Sequence, residues 1–460
     1  MIDTRLIADC QTVLAITGKL NQSLVSVCTD SRQYQHPALF IAFPGAKHNP
    51  LDYAEDLLRK GCPILVYQKN EDNEHIIADL KKIYTDRVFV AVRDSVGFTQ
   101  ELGSLHVRQW QAGGGAVFAI SGSNGKTTHK EMLAFMLKKV LPGQVVATEK
   151  NNNNHLGVPL TLLQIRPETK ICVLELGSNH PGEIKVLCDM ANPDGGIVTN
   201  IGATHLEFFG TEQAVFQEEG YLYHAVTKGP YFQNMDDVFL REQERKPSTI
   251  TYSTKDPADL RFKIGFDHVE ISGVLGTQTI RNSFITGAHN FLNLATAWSI
   301  AATLAPDHRD ELRAVASEFR PTANRSEWVQ FGDQQIYLDA YNANPSSMKA
   351  AIVGFFDWLT AHEVSPSSAV VVLGDMNELG DGTAQYHREV AEFLKQWPAA
   401  EVIFVGRFAP HYLNGLGRGL CYSNASVLKG SEWSRVTQGK RYALIKGSRS
   451  LQLESLIAIT

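Results

Sequence analysis

Short apolar runs separated by turn residues set the rhythm of the chain. ALFIAFPG (38–45), PILVYQ (63–68) and RVFVAV (87–92) are apolar stretches of strand length and predict buried strands. Between the first two, DYAEDLLRKG carries helical spacing and stops at Gly61, a predicted C-cap. After Gly113-Gly114-Gly115, AVFAISG predicts another buried strand. It runs through a glycine-containing loop into THKEMLAFMLKKVL, whose apolar positions recur at three and four. KICVLELG (170–177) and GGIVTNIG (195–202) predict further strands, and their unbroken apolar character favours a parallel sheet. FLNLATAWSIAATLA (291–305) predicts an apolar helix. Beyond a boundary near Arg320-Pro321, QIYLDAY, AVVVLGDM, EVIFVG and YALIKGS alternate with helical stretches.

That alternation predicts an α/β protein. The first 105 residues read as a small α/β domain. Residues 106–319 open as strand, loop and helix, the start of a doubly wound P-loop domain, and 320–460 read as a Rossmann-like domain. Length agrees, since 460 residues exceed one ordinary core and predict two to four domains. Composition, 43% hydrophobic and 20% charged, is that of a globular chain. The net charge of −6 argues against a nucleic-acid scaffold held by a basic face. Cys10, Cys28, Cys62, Cys172, Cys188 and Cys421 are scattered without a C-x-x-C pair, which predicts thiols in a reducing compartment. MIDTRLIADC does not read as a signal peptide, and no apolar run approaches a membrane span, so the expected location is the cytoplasm.

The strongest chemical motif is Gly122-Ser123-Asn124-Gly125-Lys126-Thr127-Thr128. Small residues between a strand and a helix let backbone N–H groups face phosphates, and the helix N-terminus favours negative charge. Lys126 would reach the β and γ phosphates and Thr127 would offer a hydroxyl to Mg²⁺. The spacing is shorter than the common phosphate loop, and a glycine turn with a surface lysine is the bland alternative. Glu175 and His205 follow later strands, at the sheet end where ligands gather. A carboxylate suits Mg²⁺ well and an imidazole less well. Taken alone, His205 reads as a structural histidine; the loop upstream reverses that.

With these strings stand Thr29-Asp30-Ser31-Arg32, NNNNHLGVPLTLL (151–163), ELGSNHPGEI (175–184), NIGATHLEFFG (200–210), GAHNFLN (287–293), DAYNANPSSM (339–348), LGDMNELG (373–380) and KGSRS (446–450). Together they resemble the Mur ligase family through nearly the whole chain. YNANP and DMNELG most resemble the branch that adds D-alanyl-D-alanine to a UDP-N-acetylmuramoyl-tripeptide. The resemblance implies three domains: UDP-binding, ATP-binding, and a C-terminal domain receiving the incoming amine. It implies ATP as co-substrate, two Mg²⁺ ions, an acyl-phosphate intermediate, and a monomer with neither nucleic-acid partner nor membrane insertion. It gives Lys126 and Thr127 to the phosphates and Mg²⁺, and Glu175 and His205 to the metal. Asn290, Asn293, Arg325 and Asp339 go to the nucleotide; Ser31, Arg32, Asn153, Asn154 and His180 go to the UDP-linked substrate. Helix capping, an interdomain ion pair and turn chemistry are the plainer readings of Asn290 and Asn293, of Arg325, and of Ser31 and Arg32 respectively. For Asp375 and Glu378 of DMNELG the plainer reading is a solvated surface.

The chain departs from the family in one chemically important place. Many Mur ligases carry a carbamylated lysine as a further metal ligand after the ATHLE segment. Here Glu219 stands at that position, and no lysine lies between Lys185 and Lys228. A carbamate is a carboxylate built on an amine, so Glu219 would keep the charge and the oxygen ligands; alternatively Glu219 or Glu218 is a solvated helix residue. In addition, Asn49-Pro50-Leu51 replaces a frequent Asp-Gly-His, and Asn324 a frequent glycine. Two other functions fit fewer features. One is a sister ligase adding a single amino acid, for which the expected arginine-containing motif after YNANP is not found. The other is a non-catalytic protein that binds UDP-muramoyl peptides.

Overall fold

The strand-length apolar runs are buried on both faces, as strands inside a covered sheet are. The computed structural model describes residues 1–21, 24–45, 49–398 and 400–457, and in it the strands form three sheets. The first sheet holds β1 (Ile2–Asp3), β2 (Val13–Thr17), β3 (Leu24–Cys28), β4 (Ala38–Ile41), β5 (Ile64–Gln68) and β6 (Val88–Val92), in the order β1-β3-β4-β5-β6-β2. Its inner strands are parallel; β1 and β2 run antiparallel at the edges. Helix α1 (Ala54–Arg59) ends two residues before Gly61, whose φ of +92° makes it the left-handed C-cap expected there. Helices α2 (Glu71–Ile83) and α3 (Ser95–Ala112) follow. Phe98 and Leu102 of α3 pack into the first core, whereas Val107 packs into the next. The two units therefore meet along one helix.

The second sheet has nine strands: β7 (Ala116–Ser121), β8 (Val145–Ala147), β9 (Ile171–Glu175), β10 (Gly195–Val198), β11 (Tyr231–Asn234), β12 (Thr249–Ser253), β13 (Leu260–Ile264), β14 (His268–Gly273) and β15 (Gln278–Arg281). Their order is β15-β14-β13-β12-β11-β10-β7-β9-β8, parallel from β8 to β13. Its helices include α4 (Lys126–Val140), α5 (Gly157–Leu162), α6 (Glu183–Ala191), α7 (Leu206–Phe209), α8 (Glu212–Glu219), α9 (Tyr221–Ala225), α10 (Ala288–Leu304) and α11 (Arg309–Ala316). Helix α10 is apolar almost all round because it is buried: Trp298, Ile300 and Ala301 are fully enclosed beside Leu133 and Leu137 of α4.

The third sheet holds β16 (Glu327–Phe331), β17 (Gln334–Asp339), β18 (Ala369–Gly374), β19 (Glu401–Val405), β20 (Leu420–Tyr422) and β21 (Tyr442–Lys446), ordered β16-β17-β21-β18-β19-β20. All pairs except β16/β17 are parallel. Helix α12 (Pro345–Ala361) opens on a capping box in which Asn344 and Ser347 satisfy each other's backbone groups. Helix α13 (Thr383–Phe393) follows the DMNELG loop and packs into the same core as β18. Three α/β units with parallel-rich sheets are the architecture expected from the sequence.

Candidate active site

The phosphate-loop motif leaves the carboxyl end of β7 at Ser121. In the sheet register Ile120 faces Glu175 at the end of β9, and Ser121 faces Val198 at the end of β10. The chain runs from β7 outward to β8, returns to β9, then crosses to β10 on the other side. The loop therefore opens on a crevice where strand order reverses, the usual ligand position in such sheets.

Backbone contacts fix the loop before any ligand arrives. Gly122 has φ of +120°, and a Cβ there would sit 2.3 Å from Thr199 Oγ1, so only glycine fits. Ser123 N donates to Asn200 O at 2.8 Å, and Gly202 N donates to Ser123 Oγ at 2.9 Å. Asn124 N donates to Asn200 Oδ1 at 3.1 Å, while Thr199 Oγ1 donates to Asn124 O at 2.6 Å. Lys126 opens α4 and turns its ammonium back to the Gly122 carbonyl.

Two buried carboxylates flank this loop. Glu175 is 2% exposed; its Oε1 accepts from Thr127 Oγ1 and from Asn153 Nδ2, each at 2.9 Å. Its Oε2 is buried with no hydrogen-bond partner. Glu219, at the end of α8, is also 2% exposed. Its Oε2 accepts from Ser121 Oγ at 2.6 Å and from Gly122 N at 2.9 Å, and its Oε1 lies 3.8 Å from Lys126 Nζ. Neighbouring Glu218 accepts from Ser178 Oγ, Ile184 N and Gly182 N at 2.6–2.9 Å. Neither glutamate is the solvated helix residue that the plainer reading allowed: one braces the phosphate loop, the other braces the loop that carries His180.

The donor set suits a hard cation. The unpaired oxygen of Glu175 beside the Thr127 hydroxyl is an oxygen-ligand pair, and a buried carboxylate oxygen without a donor is costly unless something binds it. Among the described residues no three His, Cys, Asp or Glu side chains gather at ligand spacing. His205 is drawn elsewhere, with Nδ1 2.5 Å from Glu378 Oε2 of the third domain. That hydrogen bond holds the Glu378 carboxyl below the usual range. The DMNELG carboxylates differ: Glu378 stays at the surface, its side chain 45% exposed, whereas Asp375 is buried and accepts from Arg407 N and Phe408 N at 2.9 Å.

The remaining candidates divide. Thr128, Asn290 and Arg325 line one small cavity with Glu131, Phe319 and Thr322, at the start of α4 beneath the interdomain hinge. Arg325 lays its guanidinium 3.7 Å from the ring centre of Tyr341. Asn290 is buried in the first turn of α10 and its Nδ2 donates to Thr286 O, so it packs there and does not cap the helix. Asn293 stands against Gly125, where a Cβ would meet its Oδ1 at 3.3 Å. Asp339 is held by the buried Lys446, whose Nζ lies 2.6 Å from Oδ2. Asn153 touches Glu175, whereas Asn154 caps α5 by accepting from Leu156 N and Gly157 N. His180 packs against Phe208 with the rings tilted at 51° and their centres 4.5 Å apart. Ser31 and Arg32 form one short turn after β3, with Arg32 paired to Asp30, whose carboxyl it holds at about 2.

Several contacts at the site escape sequence reasoning, those of Asn200, Glu218, Asn344, Ser346 and Lys446. Asn344 Nδ2 donates to Asn124 Oδ1 at 2.6 Å, and Asn124 Nδ2 donates to Ser346 Oγ at 3.0 Å. The YNANPSSM string carried the signal, since an Asn-Pro pair before an apolar helix marks a cap, but nothing in it tells what the cap faces.

Fold and site together define a phosphate-loop nucleotide-binding protein whose loop is met by a third α/β domain. Residues 120–301 match the Mur ligase middle domain, and residues 324–418 match the Mur ligase glutamate ligase domain. The UDP-N-acetylmuramoyl-tripeptide–D-alanyl-D-alanine ligase of Treponema pallidum is 30% identical over 94% of this chain and 92% of its own length. The Escherichia coli protein of the same name is 29% identical over 95% and 93%. The chain belongs to the Mur ligase family. Among solved structures, MurF from Acinetobacter baumannii superposes with a TM-score of 0.81 at 24% identity, covering 99% of this chain and 97% of that one. MurF from Thermotoga maritima, solved in complex with ADP, gives 0.75 at 23% identity over 94% and 96%. Family and three-domain fold thus agree with the expectation from sequence.

Proposed function

We propose that this chain joins D-alanyl-D-alanine to UDP-N-acetylmuramoyl-tripeptide at the expense of ATP, in peptidoglycan precursor synthesis. The observation that carries this reading is end-to-end similarity to ligases of that name, with the phosphate loop and its buried carboxylates in place. The γ-phosphoryl group of ATP passes to the terminal carboxylate of the tripeptide, giving an acyl phosphate and ADP. The dipeptide amine then attacks the acyl carbon, loses its proton, and phosphate leaves as the amide forms.

The loop N–H groups and Lys126 hold the phosphates. Thr127 and Glu175 would hold Mg²⁺, which when bound supplies positive charge against the phosphoryl oxygens. Asn153 orients Glu175. We assign Glu219 the place of the lysine carbamate, because its buried carboxylate lies at the loop, 3.8 Å from Lys126; His205, whose Nδ1 is taken by Glu378, would reach the set only through Nε2. Asn290, Asn293, Arg325 and Asp339 would surround the nucleotide, and Ser31, Arg32, Asn154 and His180 the UDP-linked substrate. Residues 1–105 would bind the UDP-sugar, 106–319 ATP, and 320–460 the dipeptide; most of the rate advantage then comes from bringing three substrates into line. The six free thiols support a reducing, cytoplasmic setting.

Phosphate release tests this reading. Purified protein, ATP and UDP-N-acetylmuramoyl-tripeptide are combined with D-alanyl-D-alanine, with single amino acids, or with neither, each with and without bicarbonate. Turnover only with the dipeptide and indifferent to bicarbonate is expected. Turnover with a single amino acid moves the chain to a sister branch, and a strong bicarbonate requirement removes Glu219 from its assigned place.

A further inference from the structure

His205 and Glu378 face each other across the boundary between the second and third domains, and both have left-handed backbones. Their φ values are +53° and +62°, a conformation side-chain-bearing residues seldom adopt. Backbone strain of this kind persists only where surrounding structure over-determines it, and it concentrates at functional sites. Here the surroundings are tight. Glu207 N donates to Glu378 O at 3.1 Å. A Cβ on Gly380 would meet Glu207 Cα at 3.3 Å. Tyr386 packs against the small cluster of Ala203, Leu206 and Val215. The DMNELG loop is thus clamped onto the segment that ends the phosphate-loop crevice, and the clamp aims one carboxylate at one imidazole nitrogen.

We infer that Glu378 is a positioning residue of the site, supplied by the third domain, which fixes the ring orientation and tautomer of His205 when that domain docks. A carboxylate accepts, so Nδ1 carries the proton and donates to Oε2 at 2.5 Å. The lone pair is then confined to Nε2, on the far side of the ring. His205 lies three residues beyond Gly202, which bonds Ser123 of the phosphate loop. A domain that swings away takes Glu378 with it and leaves the ring free to turn. Closure and assembly of this histidine are therefore one event. The inference deepens the ligase reading and rests on it for its kinetic consequence, but not for its structural one.

The test uses the full chain and two variants. Glu378→Gly removes the carboxylate while suiting the left-handed backbone, so the loop keeps its path. Glu378→Gln keeps an acceptor oxygen. Nitrogen-15 histidine NMR, with His205 assigned by its loss in His205→Gln, reads the tautomer directly. Wild type is expected to show protonated Nδ1 and bare Nε2 at His205, Glu378→Gly a mixture of tautomers, and Glu378→Gln the wild-type pattern. In phosphate release, Glu378→Gly should lower kcat by roughly tenfold or more, the usual scale for a group that orients a site histidine, with KM for ATP unchanged and partial recovery in Glu378→Gln. Identical His205 signals in wild type and Glu378→Gly overturn the inference, as does an unchanged kcat or an effect confined to KM. If wild type turns over with no acceptor, the ligase reading falls, while the ring signals still decide the positioning role.

Discussion

The phosphate-loop cradle and the junction with the third domain lie side by side yet are built differently. The cradle draws on β7, β9, β10, α4 and α8 of one sheet, and its carboxylates Glu175 and Glu219 are each 2% exposed. The junction is polar and partly open: its bonds join Asn124 to Asn344 and Ser346, His205 to Glu378, and Glu207 to the Glu378 carbonyl. Apart from the open Glu175 Oε2, the buried groups of the cradle satisfy one another, and such groups hold one geometry whatever happens around them. A few half-exposed polar bonds can break and reform as a domain moves. The chain therefore prebuilds its phosphate site and leaves the closure of that site adjustable.

The largest expected effect tests the first half of that contrast. Glu219→Ala leaves the Gly122 N–H and the Ser121 hydroxyl without an acceptor and Lys126 without its counter-charge. Breaking a buried pair in this way costs about 3–5 kcal/mol. Denaturant unfolding of the variant should show that loss in the second domain, accompanied by loss of nucleotide binding. Glu219→Gln, which retains one acceptor oxygen, should lose less. Wild-type stability in Glu219→Ala would mean that the cradle is not held from beneath.

Acid should act next, and on the junction side. His387 Nε2 accepts from Met376 N at 3.1 Å, and its other ring nitrogen bonds Thr383 O, so the ring must be neutral. Burial lowers its pKa to about 4 from an ordinary 6.5. The sign follows from linkage. Above pH 6.5 both folded and unfolded states are neutral and nothing changes. As pH falls from 6.5 towards 4, only the unfolded chain takes the proton, so stability declines, by about 3 kcal/mol at the lower end. Because Met376 lies two residues from Glu378, the acid limb should appear in the DMNELG loop. Thermal melts of wild type and His387→Gln across this range measure it; parallel curves would exclude His387 as the cause.

The two regions also differed in how far sequence revealed them. The cradle's strands, helix and loop form one contiguous pattern, and Glu175 ends a strand whose apolar run is plain. Glu219 stands out only because it occupies the family's lysine position, and its grip on Gly122 N is not legible in the sequence. The junction was illegible for a physical reason. Asn124 and Asn344 are 220 residues apart and His205 and Glu378 are 173 apart, and no periodicity encodes a contact between domains. Asp339 shows the same limit: the family resemblance assigns it to the nucleotide, and nothing in the sequence tells that the neighbouring strand pairs it with Lys446.

A smaller effect measures how strongly the junction couples to the loop. Asn124 Oδ1 accepts from Asn344 Nδ2 at 2.6 Å. A double-mutant cycle of Asn124→Ala and Asn344→Ala should give a coupling energy of about 1 kcal/mol. Hydrogen exchange at the first amides of α12 reads it. Strict additivity would mean that the pair stands together without holding the domains.

The smallest effect concerns the hinge. Asn324 and Ser326 have φ of +63° and +53° on either side of Arg325, which lines the small cavity at the start of α4. Both bonds of Asn324 are main-chain ones: its N donates to Glu327 Oε1 at 2.5 Å, and its O accepts from Tyr341 N at 3.2 Å. Asn324→Gly keeps both and relieves the left-handed strain, but frees the unfolded chain, so the two changes should nearly cancel, within about 1 kcal/mol. Asn324→Val cannot take this conformation without a cost of about 1–2 kcal/mol. If the valine variant melts with wild type while nucleotide affinity falls, the strain has moved into the hinge angle, and the junction yields before the cradle does. If it melts lower with affinity intact, the turn is rigid and the adjustable part lies wholly in the contacts of Asn344 and Glu378.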